Sequence, residues 1–124
     1  VSTDRELLEL AAKAAGICGR WARRRFGNAS DWSEYFVVGP RVGKVWNPLT
    51  DDGDALRLAV RLQLTVCNEH LTAGAAYCTK GLDWSGPTED ARFPQVQEVV
   101  DGDYAVTRRA IVRAAAEIAR HSTK

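Results

Sequence analysis

Arginine carries a planar fork of donors that matches phosphate and carboxylate. The last third of this 124-residue chain carries it at helical spacing. Arg109, Arg113 and Arg120 fall within roughly 40° of one another at about 100° per residue. They lie across the helix from Ile111, Ala114, Ala115 and Ile118, while Arg108 falls off the stripe. Such a stripe can clamp an anion, with Thr107 and the free amides of a helix start as further donors. It can equally be a solvated face in which Glu117 pairs along the helix. Trp84 and Phe93 stand among Gly, Pro and acidic residues in the segment 81–94. They either plug down onto the core or form a flap over a bound planar group.

Three other groupings have chemical potential. Arg20, Arg23, Arg24 and Arg25 surround Trp21 and Phe26, with Trp32 close behind. Arginine beside aromatics suits phosphates, stacked bases or a protein hot spot. It also suits a strand edge whose charges block aberrant pairing. Trp21, Arg24, Phe26 and Trp32 form the candidate interaction patch. Asp51, Asp52 and Asp54 place three carboxylates in four residues. Their spacing is not that of a calcium loop, and acidic residues at a helix start cap it and oppose its dipole. Cys67, His70 and Cys78 offer soft ligands, but zinc would need a fourth. The expectation is no metal, no cofactor and no catalytic residue. No phosphate-binding glycine loop, dinucleotide fingerprint, zinc-protease helix or nucleophile elbow occurs.

The elements that must position these residues follow from pattern. Thr3 and Glu6 have capping-box spacing ahead of a helix to about Ile17, stopped by Gly16 and Gly19. Residues 19–32 read as an awkward, arginine-rich stretch ending in loop. Tyr35–Val38 and Arg41–Trp46 read as a hairpin turning near Gly39-Pro40. Thr50 or Asp51 then caps a second helix with Ala55, Leu56, Ala59, Val60 and Leu62 as its buried stripe. Two antiparallel strands follow, about 63–69 and 72–79. The segment 81–94 is irregular, 96–100 is an optional last strand, and a helix spans about 104–120. The expected fold is one α+β domain over 1–124: a small antiparallel sheet flanked by three helices, in the order α-β-β-α-β-β-(β)-α.

Composition narrows the function classes. Lys and Arg number 17 against 16 Asp and Glu, so neither bulk polyanion binding nor DNA mimicry is expected. No apolar run reaches a membrane span, and the first twenty residues carry Asp4, Glu6 and Glu9 in an amphipathic pattern, unlike a signal peptide. Three cysteines suit a reducing cytoplasm. Apolar sheet residues Tyr35, Phe36, Val38 and Trp46 suggest surface left for a homo-oligomer.

Two segments, Trp46–Leu62 (WNPLTDDGDALRLAVRL) and Thr107–Ile118 (TRRAIVRAAAEI), resemble small phage and prophage proteins of the phage α-β-α sandwich type. That resemblance implies a phage accessory protein acting in the cytoplasm of a bacterial host, often an anti-defence protein. The architecture is similar to that of the Thoeris anti-defence sponges, which sequester cyclic ADP-ribose signals without cleaving them. One expectation is therefore sequestration of a cyclic nucleotide or ADP-ribose-type ligand by Arg109, Arg113, Thr107, Trp84 and Phe93, with 81–94 as a lid. The alternatives are a protein-directed inhibitor of a host defence protein, anti-CRISPR or anti-restriction, and a phage structural or assembly accessory.

Overall fold

The computed structural model describes residues 3–25, 32–41, 43–69, 75–81, 84–90 and 101–122. It opens with α1 (Asp4–Ala15). Thr3 accepts the Glu6 N–H at 3.2 Å and its hydroxyl donates to Glu6 Oε1, which sets the first turn. Gly16 ends the helix in the left-handed region at φ 70°, where the Ile17 N–H returns to the Ala12 carbonyl at 2.8 Å.

The arginine-rich stretch is not irregular. It forms β1 (Gly19–Arg24), which pairs antiparallel with β2 (Ser33–Val38). The expected hairpin at Gly39-Pro40 then joins β2 to β3 (Lys44–Val45). Alternation along β1 divides its side chains between two faces. Trp21 shares the face of Phe36, its register partner. Arg20 and Arg24 leave on the other face and donate to the carbonyls of Gly39, Arg41 and Gly43, which braces the turn. Gly19 is required by contact: a Cβ there would stand 2.2 Å from the Phe36 ring.

A knot of local bonds leads into α2 (Asp52–Arg61). Pro48 is fully buried, and the Asn47 side chain accepts the Leu49 N–H at 3.0 Å. Asp51 is the cap, accepting the Asp54 N–H at 2.8 Å. Asp54 is itself buried and accepts from the Asn47 amide at 3.0 Å and from Arg57 at 2.7 Å. The WNPLTDD stretch is thus a helix start held by its own polar groups. The helix closes with Gln63 in the left-handed region at φ 57° and the Leu64 N–H on the Ala59 carbonyl at 2.9 Å.

The second sheet is built on β5 (Ala75–Lys80). On one side lies β4 (Thr65–Glu69); on the other lie β6 (Trp84–Ser85) and β7 (Glu89–Asp90). The last element is α3 (Asp101–Ser122). The α+β class and the succession of helices and strand pairs hold as expected. The single sheet does not: among the described residues there are two, and β1, β6 and β7 are additional strands. The optional strand at 96–100 lies outside the described residues.

Helix α3 packs against α1, α2 and β5 together. Ala110, Val112, Ala114, Ala115, Ala116 and Ala119 are all fully buried, which covers far more of its circumference than one stripe. Alanine allows this because it holds backbones close on several sides without costing helix propensity. Gly86 extends the principle, since a Cβ there would come within 2.8 Å of the Ala114 methyl. Two expectations fail against this core. Phe36 and Trp46 are buried, 5.8 Å apart, so they are not spare surface for an oligomer. Leu56 and Val60 are not in the buried stripe; they are 64% and 68% exposed. The face turned inward is Ala55, Leu58, Ala59 and Leu62, and residues 56 and 60 lie roughly 110–150° from its centre. Among the described residues, no helix is long and apolar enough to cross a membrane.

Two expected outcomes test these local devices. Asp54→Ala leaves the part-buried Asn47 N–H without its acceptor and lowers stability by about 1–3 kcal/mol in urea unfolding. Gln63→Gly relieves a left-handed side chain and raises stability by roughly 0.5–1 kcal/mol.

Candidate functional site: the cleft between the second and third helices

The arginine stripe of α3 does converge on an anion, but the anion belongs to the chain. Register pairs Glu89 with Ala76, whose side chain is buried against the core, so Glu89 is turned toward α3. Its Oε1 accepts from Arg113 at 2.7 Å and lies 3.6 Å from Arg109 Nε. Arg109 also pairs with Asp4 at 3.0 Å. Two guanidiniums therefore meet two carboxylates, which ties α1 and β7 to α3. Arg120 bonds Glu117 at 2.5 Å, as the solvated-face alternative supposes. Neither Glu89 nor Asp4 was singled out in the sequence as a partner, because β7 is only two residues long and Asp4 lies a hundred positions away.

The other expected ligand residues are not gathered there. Trp84 is register partner to Lys80 and packs against the core, with its Cη2 3.2 Å from where a Gly86 Cβ would stand. It is a core aromatic, the first of the two alternatives. Phe93 lies outside the described residues. The described part of the expected lid, 84–90, is tied to β5 by β6 and β7. Thr107 faces away from the stripe, about 160° from Arg109 around the helix. Its hydroxyl donates to Asn68 Oδ1 at 2.8 Å.

That contact marks the site the structure does build. Between α2, β4 and the start of α3 lies an open cleft of about 520 Å³. Ala55, Ala59, Val66 and Ile111 form its apolar walls, and Tyr104 stands at its mouth, 51% exposed. Thr107, Asn68, Arg108, Asp52 and Asp103 make its polar edge. Arg108 donates to the Leu49 carbonyl at 2.9 Å and to Asp52 at 2.6 Å, so its fork is held in place. Asp103 is buried at 3% exposure. The edge thus holds two carboxylates and one guanidinium, which favours hydroxyl and amine donors over a polyphosphate. The signal for this face was present in the sequence. Tyr104, Thr107, Arg108 and Ile111 follow the i, i+3, i+4, i+7 spacing of one helix face.

The remaining groupings resolve as structure. Trp21 packs edge-on against Phe36 at 5.3 Å, donates to Glu9 at 3.0 Å and receives Arg5 at 4.2 Å. Arg24 lies on the opposite face of β1, so Trp21 and Arg24 do not share a patch. Trp32 is 54% exposed with Arg25 5.3 Å from its ring, and Phe26 lies outside the described residues. Cys67 pairs with Tyr77 and Cys78 with Val66, so the two thiols point to opposite faces of the sheet and cannot share an ion. His70 lies outside the described residues. Burial pushes the Cys78 thiol up to about 12, which keeps it protonated and inert. The Tyr77 hydroxyl is raised by hydrogen bonding with Cys67 and then with Glu69, which accepts from it at 3.1 Å. Among the described residues, no group of His, Cys, Asp and Glu could hold a metal ion.

Glu89→Gln keeps the shape and removes the charge that Arg109 and Arg113 share. Because both arginines are about 39% exposed, the expected loss is modest, about 1–2 kcal/mol in urea unfolding. Stability equal to the parent's would show that the stripe is not held by Glu89. Compared with known proteins, the chain matches no family model, no curated protein and no solved structure.

Proposed function

We propose that this chain is a non-catalytic binding protein that sequesters a nucleotide-type signal, in a phage or prophage anti-defence role. Its cleft between α2 and α3 receives the nucleoside end of the ligand. The observation that carries this reading is the cleft itself, about 520 Å³, apolar in its walls and edged by few polar groups. Each part of a nucleoside has a matching group. The half-exposed Tyr104 ring offers a stacking face for a base. The Asn68 amide and Thr107 hydroxyl can read a base edge. Asp52 can accept from ribose hydroxyls, as carboxylates do in dinucleotide sites. Arg108 provides one cation, which suits a single phosphate group. In this reading Arg109 and Arg113 belong to the scaffold.

The test is a thermal-denaturation panel of nucleosides, nucleoside monophosphates, cyclic nucleotides and ADP-ribose derivatives. A ligand at a hundred times its dissociation constant should add about 2.7 kcal/mol of stability. Tyr104→Ala should abolish that response, while the double variant Arg109→Ala with Arg113→Ala should keep it. Mass spectrometry should recover the ligand unaltered. One observation favours a second reading, protein-directed inhibition: Trp32 is exposed with Arg25 against its ring, the residue types of a binding hot spot. A panel that leaves the melting temperature unmoved overturns the nucleotide reading and favours this one.

A further inference from the structure

Helix α2 leaves two large aliphatic side chains in water. Leu56 and Val60 are four residues apart, so they form one ridge, 64% and 68% exposed. Beside the ridge, on the side away from the cleft, lies a recess of about 600 Å³. Ile17, Trp46 and Leu58 line it together with the ridge residues themselves, and Arg57 and Arg61 stand between the ridge and Leu58. One face of the molecule therefore carries both an apolar projection and an apolar hollow of matching character.

We infer that this face docks a second copy of the chain, the two α2 helices crossing antiparallel about a two-fold axis. A two-fold contact must be self-complementary, and a ridge beside a recess meets that condition: each copy's Leu56–Val60 ridge seats in its partner's hollow. The charges select the same arrangement. The start of α2 is acidic, with Asp51 as its cap and Asp52, paired with Arg108, in its first turn, and its last turn carries Arg61. The Arg61 guanidinium donates to the Ala15 carbonyl and has no carboxylate partner among the described residues. Asp51 is 59% exposed, with Arg57 of its own helix 3.9 Å away. An antiparallel crossing brings each acidic turn toward the other copy's Arg61 and sets the helix dipoles in opposition. Parallel helices would place like charges together.

Leu56 borders both hollows, while the rest of the cleft lies on the other flank of the ridge, and the inference rests on observations other than those behind the nucleotide reading. The test is the mass of the full chain by sedimentation equilibrium, from about 1 to 300 μM. The parent should pass from one copy to two across that range. Val60→Glu should remain a single copy throughout, with an unchanged circular dichroism spectrum. If that variant fails to fold, Val60→Ser serves in its place and should raise the dimer dissociation constant at least about tenfold. A parent that stays monomeric at the top of the range overturns the inference. So does a Val60 variant that associates as tightly as the parent. Mass reports on this face and ligand-dependent melting reports on the cleft, so the two readings fail separately.

Discussion

The alanines of α3 are the constraint on which the remaining packing depends. A helix lined by leucines holds its neighbours at the far end of a long side chain and has room for fewer of them. Here Ala110, Ala114, Ala115, Ala116 and Ala119 are fully buried. Helices α1 and α2 and strand β5 can therefore all approach the same rod. An added methylene on these faces would meet backbone or another small residue, and overpacking of this kind costs about 1–3 kcal/mol. Gly86 against Ala114 is the limiting case, where even a methyl is excluded. Helices α1 and α2 and the second sheet take their positions from their distance to α3.

The same arrangement explains why polar groups cluster at the periphery. A core made of alanine buries little apolar area per residue, so the surrounding elements are also tied by charge and capping. Asp4 and Glu89 hold α1 and β7 to the arginines of α3. Arg108 holds the start of α2, and Arg61 reaches the end of α1. Each tie joins two elements distant in sequence at the rim of an apolar contact, where partial exposure keeps desolvation small. Arg61, Arg108, Arg109 and Arg113 all serve this bracing.

The cleft exists because α2 and β4 cannot both close on the N-terminal half of α3. Ala55 and Ala59 are too short to fill the space that Val66 and Ile111 border from the other sides. A gap bounded by small residues is open, apolar and edged by the polar groups of three elements, which is the usual setting for small-molecule recognition. From the rim of the cleft outward the reverse holds: Leu56 and Val60 are large and exposed. One helix thus separates a hollow that suits a small ligand from a ridge that suits another protein surface.

Local chemistry was legible in the sequence wherever it closed on itself. The cap at Thr3, the stop at Gly16, the cap at Asp51 and the turn at Gly39-Pro40 involve residues a few positions apart, and all were readable. So was the α+β class, because hydrophobic period needs no partner to be seen. The arginine stripe was also readable as a stripe. What it binds was not, because Glu89 reaches it only through the register of β7 on β5. Trp21 and Arg24 looked like one patch until the pleat of β1 sent them to opposite faces. Leu56 and Val60 looked buried because their hydrophobicity is indistinguishable from that of Leu58 and Leu62. Only the angle at which α2 meets α3 decides which pair is covered. Sequence determined the elements, whose hydrogen bonds are local; tertiary structure decided the faces, since burial and charge pairing depend on neighbours far along the chain.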